Sequence, residues 1–141
     1  MEWMLLPLRR YAQFAGRARP KEFWMFVLFL LIGFIVIAVV ETMLGLSTTQ
    51  HWAQRGPWWA SAGYRTNGGP LTGLFALATL IPYLAVAVRR LHDTDRRGWW
   101  LLIGFVPLIG GLVLLIFFII SGTRGPNRFG PDPIGQDAAA G

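Results

Sequence analysis

The chain is 141 residues long, 54% hydrophobic and 14% charged, with a mean hydropathy of +0.47. That balance excludes an ordinary soluble globule, and the formal net charge of +6 does not mark a nucleic-acid binder, because the Lys and Arg flank apolar runs instead of forming a basic domain. The lack of cysteine excludes disulfides, Cys-ligated zinc, iron–sulfur clusters and thiol nucleophiles.

Residues 1–22 read as a cytoplasmic, interfacial segment. Met4, Leu8, Tyr11 and Phe14 recur at near-helical spacing opposite Arg9, Arg10 and Gln13, which predicts a short interfacial helix starting near Pro7. The charges from Arg9 to Lys21 precede an apolar run that reaches Glu41 without a small-x-small pattern, so this is not a cleavable signal. Residues 23–45 form the clearest transmembrane helix, since about 20 apolar residues cross ~30 Å of hydrocarbon. Glu41, near its end, is expected to reach the outer interface or to pair with Arg55 or Arg65. Residues 46–70 are expected to be an outer loop and 71–88 a second span, kinked at Pro82, with 89–98 a cytoplasmic loop.

A third apolar segment, 99–121, is broken by Pro107, Gly110 and Gly111. It reads either as one kinked crossing or as a re-entrant loop that dips in and returns; its halves are too short to span separately. Residues 122–133 are a turn-rich end and 134–141 a disordered tail, so 1–133 is expected to be a single membrane domain. The fold class is therefore all-α, a polytopic transmembrane helical bundle. Tryptophans 3, 24, 52, 58, 59, 99 and 100 sit near segment ends or in the first loop, as an aromatic belt at the headgroup zone requires. Arg9, Arg10, Arg17, Arg19 and Lys21 precede the first span and Arg89, Arg90, Arg96 and Arg97 follow the second, against Arg55 and Arg65 between them. This asymmetry puts the N-terminus in the cytoplasm.

Three polar blocks hold the candidate binding residues. Block one, 14–24, contains Arg17, Arg19 and Glu22; its ordinary role is a positive-inside anchor, and its sharper one an anionic-headgroup site in which the two guanidinium forks grip phosphate. Block two, 89–100, contains Arg89, Arg90, His92, Asp93, Asp95 and Arg96. Here a His able to titrate near neutrality, oriented by Asp93, competes with a plainer role in which Asp93 or Asp95 caps the next helix and the arginines pair locally. One His and two Asp lack metal-motif spacing, so no metal and no cofactor are expected. Block three, 122–133, has Gly125, Pro126, Gly130, Pro131 and Pro133, which specify a stiff string of turns presenting Asn127, Arg128 and Asp132 for docking.

In order and spacing these blocks resemble the domain-of-unknown-function 805 family, the YhaH-like bacterial inner-membrane proteins. The resemblance rests on F-x-G-R-A-R-x-x-E-[FY]-W at Phe14 to Trp24, R-R-L-H-D-T-[DG]-R-x-x-W-W at Arg89 to Trp100, and G-x-x-G-x-N-R-F-G-P-D-P at Gly122 to Pro133. Pro20 departs from a position that is often basic in the family, and the loop from Ser47 to Pro70 is longer than is typical of it. The resemblance implies a bacterial inner-membrane location and supplies no activity. The leading expectation is a non-catalytic module that binds a protein partner, a second copy of itself or anionic lipid through its cytoplasmic face. A transporter or channel component is the alternative, and an enzyme acting on a lipid phosphate through His92 comes after it.

Overall fold

The two long apolar runs fold as helices that each begin on proline, a residue whose fixed φ suits the first helical turn and whose missing N–H would be unpaired there anyway. In the computed structural model, which describes residues 2–58 and 60–134, these are α2, Pro20–Met43, and α3, Pro70–Asp93. At 24 residues each they are about 36 Å long by helical rise, and among the described residues they are the two helices long and apolar enough to cross a membrane. A shorter helix, α1, covers Glu2–Arg9; a 3₁₀ helix covers Gly98–Phe105; and α4 covers Ile109–Ile119. The chain forms two compact units, Leu30–Ala78, and Met1–Phe29 with Thr79–Gly141. The expected tail from residue 135 on, and Trp59 of the aromatic belt, lie outside the described residues.

Within Leu30–Ala78, α2 ends on Gly45 in the left-handed region, φ 68°. Leu46 N–H donates to Glu41 O at 2.8 Å and Gly45 N–H to Thr42 O at 3.2 Å, the paired bonds that close a helix C-terminus on glycine. The Glu41 side chain, expected to reach the outer interface or to pair with Arg55 or Arg65, is turned to the start of α3. Its carboxylate accepts from Gly69 N–H (2.9 Å), Thr72 N–H (2.9 Å) and Thr72 Oγ1 (2.6 Å), so it caps the start of α3 from α2. The cause is the cluster of unpaired N–H groups and positive dipole end that every helix start presents. Gly33 gives room for the Phe75 ring, which also meets Phe34 edge-on at 4.9 Å.

The chain is mostly helical, and within the segment expected to be an outer loop residues 48–67 form a β-hairpin that the all-α reading did not include. β1, Thr48–Arg55, pairs antiparallel with β2, Ala60–Asn67, in the register Thr48↔Asn67 to Arg55↔Ala60. Its polar residues show no alternating apolar face, and that alternation is the main strand signal in a sequence. The pairing relies instead on the Gly56–Pro57 turn and on Gly63, which lies opposite Trp52 and leaves space for its indole.

In the other unit, Phe23, Phe26, Ala85, Val86, Leu91 and Phe118 are buried, with the Phe23 and Phe118 rings 4.4 Å apart. The N-terminal helix runs Glu2–Arg9 with Pro7 inside it, rather than starting near Pro7. Residues further on are drawn into extended contact with the end of α3, where Ala18 N–H donates to Arg89 O at 3.0 Å. The third apolar segment folds back on itself. The 3₁₀ helix and α4 are joined by a γ-turn in which Ile109 N–H donates to Pro107 O at 2.8 Å, with Leu108 at φ 66° and ψ −56°. Trp100 meets Phe117 edge-on at 5.5 Å, and a Cβ on Gly110 would run into the Ile103 carbonyl. The two arms are therefore antiparallel and held close by glycine.

Gly110→Val is expected to force the arms apart and cost about 1–3 kcal/mol, the usual range for overpacking. Leu108→Gly, which removes a Cβ from a left-handed position, should stabilise by up to about 1 kcal/mol. Thermal unfolding of the detergent-solubilised protein checks both; a Gly110→Val variant as stable as the parent would contradict the close approach.

Candidate functional site

Past the apolar stretch 71–88, the last turn of α3 carries Arg89, Arg90, His92 and Asp93. The helix stops because Asp95 adopts φ 56°, so that Arg96 N–H reaches back to Leu91 O (2.9 Å) and Asp95 N–H to His92 O (3.0 Å). Aspartate is one of the few residues that tolerates this conformation.

Asp93 sits between two guanidinium groups. Arg17 Nε donates to Asp93 Oδ1 at 3.0 Å and Arg90 Nη1 to Asp93 Oδ2 at 2.9 Å, and all three side chains are at most 3% exposed. Both arginines continue into backbone carbonyls. Arg17 donates to Thr123 O (2.5 Å), Gly125 O (2.7 Å) and Gly130 O (3.5 Å), while Arg90 donates to Ile120 O and, at 3.4 Å, to Phe118 O. The unpaired carbonyls at the end of α4 and the turns after it thus find fixed donors. Thr123 closes the arrangement, its N–H and Oγ1 both donating to Asp93 O at 2.8 and 3.1 Å. A Cβ on Gly122 would collide with the Asp93 carboxylate, so glycine is required there.

Block three folds onto this clamp as the predicted string of turns. Asn127 and Gly130 bridge, Gly125 and Gly130 have φ of 77° and 138°, and Asp132 Oδ2 accepts from Gly125 N–H at 2.9 Å. Asn127 Nδ2 donates to His92 O and to Thr123 Oγ1, each at 2.9 Å. His92 stacks flat on Phe129, ring centres 4.0 Å apart, with Nδ1 3.1 Å from Gly16 O. Arg128 pairs with Asp95 at 3.1 Å on the exposed edge, and Arg96 lies over the Phe117 ring at 4.0 Å.

The three blocks therefore come together, and several expected roles change. Neither Asp93 nor Asp95 caps the next helix, whose N-cap, Arg97, has no side-chain cap bond. Asp93 is taken up by Arg17 and Arg90 and does not orient His92. Arg17 spends its fork on carbonyls of this same chain instead of presenting it for a phosphate. Arg19 donates to Pro133 O at 2.9 and 2.5 Å and lies over the Trp3 ring at 5.5 Å, and Lys21 is over the same ring at 5.6 Å. Glu22 Oε1 accepts from Arg89 Nη1 at 2.8 Å, both side chains buried. Trp3, read from sequence only as part of the aromatic belt, Arg10, read only as an inner-face charge, and Gly122 and Thr123, read only as part of block three, prove to belong to this arrangement. The signal for Gly122 is its place between an apolar helix and a polar turn, where backbone approaches side chain.

Burial lowers the Arg89 and Arg90 guanidinium groups from their ordinary range, and Glu22 and Asp93 respectively pull them back up. Burial likewise raises the Asp93 carboxyl, against the opposing pull of Arg17 and Arg90. His92 is lowered by burial and further by the Arg128 charge, against the Gly16 hydrogen bond. Among the described residues no cluster of His, Asp and Glu could hold a metal ion.

Asp93→Asn leaves two buried guanidinium groups facing a neutral amide, and should destabilise by about 3–5 kcal/mol. Arg17→Lys should fail to restore the wild-type state because an ammonium cannot fork between carboxylate and carbonyls. Cleavage within 122–133 by a protease reads both; an uncut Asp93→Asn variant would contradict the clamp. For pH, the folded His92 pKa lies below the unfolded value of about 6.5, so the unfolded chain binds more protons as pH falls. The stability this contributes is full above about pH 6.5 and declines as pH drops through the folded value. Protection of the amides at 124–131, taken relative to intrinsic exchange at each pH, should fall on acidification, and His92→Gln should flatten that dependence.

The pattern of the family described as "Protein of unknown function (DUF805)" matches residues 11–131. Over 133 residues the chain is 47% identical to "Inner membrane protein YhaI" of Escherichia coli strain K12, covering 94% of this chain and 96% of that protein. It is 42% identical to "Inner membrane protein YhaH" of the same strain, again over 133 residues, covering 94% and 97%. No solved structure matches.

Proposed function

The chain belongs to the DUF805 family, and we propose that it is a bacterial inner-membrane protein whose cytoplasmic face is a non-catalytic module for anionic lipid. The observation that carries this reading is the division of labour among its cations. Arg17 and Arg90 are buried and hold the chain together, while Arg9, Arg10, Lys21, Arg97, Arg124 and Arg128 are exposed around them. Exposed cations beside apolar spans attract the anionic inner leaflet at about 1 kcal/mol each. The apolar surface supports the membrane setting, since Leu31, Ile35, Leu74 and Leu77 are 54–69% exposed, which suits hydrocarbon and not water.

In this reading α2 and α3 cross the bilayer and the third segment is re-entrant. The 3₁₀ helix and α4 come to about 16 Å each by rise per residue, half the thickness of the hydrocarbon core. Both ends of the segment are tied to the last turn of α3, through Arg96 at one end and Thr123 at the other. The N-terminus, block two and block three then share the cytoplasmic side, and the arginine asymmetry becomes steeper than with three crossings. Residues 1–133 would act as one membrane domain. Transport is less well supported, because Glu41, the acidic group nearest the end of the first apolar run, is bound to the start of α3. A phosphate-directed enzyme is disfavoured by the position of His92, stacked on Phe129 without a carboxylate partner.

Topology reporters fused after Gly16, near Asp95 and after Pro133 should all read as cytoplasmic; a periplasmic signal at Pro133 would refute the re-entrant segment. Protein extracted in a neutral detergent should retain anionic over zwitterionic lipid by native mass spectrometry. That preference should fall with added salt and in an Arg9→Gln/Lys21→Gln/Arg97→Gln variant. Equal retention of both lipid classes by the wild type would sink the functional reading.

A further inference from the structure

Beside α1 lies a small polar cleft of about 180 Å³, lined by Trp3, Leu6, Arg10, Arg17, Arg19, Glu22 and Pro133, whose carbonyl accepts from Arg19 Nε and Nη2. It differs from the larger apolar groove at Phe14, Leu84 and Val88, where nothing in the fold singles out an occupant. Behind Glu22 sits Arg89, 1% exposed, whose Nη1 is bound to Glu22 while Nε and Nη2 are buried without a hydrogen-bond partner. A buried guanidinium with two unpaired N–H groups is costly unless something nearby offsets its charge.

The local charge count points the same way. The buried ionic groups of this unit are Arg17, Arg89 and Arg90 against Glu22 and Asp93, one positive charge in excess, and Arg10 and Arg19 add to it at the rim of the cleft. Arg10 is close enough to depress Arg89 by charge repulsion. The Arg19 guanidinium and the Lys21 ammonium both lie over the Trp3 ring, so cations converge here.

We infer that this cleft is a binding site for a single phosphate group, with Arg10 on the phosphate oxygens and the Arg19 guanidinium, held in place by Pro133 O, adding its charge at the rim. A guanidinium fork matches phosphate geometry, and the cleft has room for one tetrahedral anion with a few waters of ~30 Å³ each. Glu22 does not repel the anion outright because its charge is matched by Arg89. The phosphate can belong to an exposed monoester headgroup of an anionic lipid or be free in the cytoplasm. The inference rests on the reading of this face as a lipid-binding module and names one specific site within it.

The test uses the full chain in neutral detergent, titrated in separate arms with short-chain phosphatidic acid, the matching diacylglycerol, and inorganic phosphate, with the thermal midpoint and Trp3-dependent fluorescence as readouts. Phosphatidic acid should raise the midpoint and diacylglycerol should not. Arg10→Ala, a change at an exposed position, should weaken the apparent affinity at least fivefold, and Arg10→Ala/Arg19→Ala at least twentyfold. A response to millimolar inorganic phosphate equal to that of the lipid would assign the site to free phosphate; a response to the lipid alone would assign it to a headgroup. Trp3→Phe should remove the fluorescence change while keeping the thermal shift. If neither phosphate-bearing ligand shifts the midpoint, or if the shift survives intact in Arg10→Ala and Arg10→Glu, the site does not exist. Should anionic lipid still be retained and still be lost in the Arg9/Lys21/Arg97 variant, the general reading stands and only this site falls.

Discussion

The buried carboxylate of Asp93, held between Arg17 and Arg90, is the interaction on which the unit formed by Met1–Phe29 and Thr79–Gly141 depends. A lone ion pair in the interior returns little, since desolvation offsets its attraction. Here each guanidinium also donates to carbonyls at the end of α4 or in the turns beyond it, and those carbonyls would otherwise be unpaired. The three charges thus do the work of helix caps for a segment that has none of its own. The same geometry explains why Gly122 carries no side chain and why Thr123 directs both of its donors to Asp93 O.

From this clamp follows the path of the third apolar segment. Once residues 118–125 are bound to Arg17 and Arg90, a chain that leaves α3 at Asp95 has to return to its starting point, and a straight helix of the same length cannot do so. The return is made at Pro107–Leu108, where a γ-turn reverses the direction and Gly110 lets the arms approach. Pro107 therefore marks a reversal in this structure instead of bending a continuous helix. Glu41 plays the corresponding part in the other unit, where one carboxylate from α2 satisfies three donors at the start of α3. Both units thus use a buried or half-buried carboxylate to satisfy backbone or guanidinium donors that lipid cannot.

The distribution of cations bears directly on function. Arginine serves inside the clamp because its fork can bond a carboxylate and carbonyls at once, which an ammonium cannot. Arg9, Arg10, Lys21, Arg97, Arg124 and Arg128 stay at the surface, while Arg89 is buried against Glu22. Trp3 organises part of that surface by stacking on Arg19 and Lys21.

The sequence by itself determined the apolar runs within α2 and α3, the turn-rich character of 122–133, and the three polar blocks. These are local properties: hydrophobic run length, proline and glycine placement, and charge flanking can all be read from neighbouring residues. Asp95 also has a local reason, since the backbone there is left-handed and aspartate tolerates that conformation. Tertiary structure decided the rest. Arg17 meets Asp93 across 76 residues and Gly125 across 108, and no periodicity reports such pairings. It also decided that Glu41 caps a helix, that polar residues 48–67 pair as a hairpin, and that the broken third segment turns back. In each case a polar group had more than one plausible partner in the sequence, and burial of backbone N–H and C=O groups, which must be paired wherever water is excluded, selected among them.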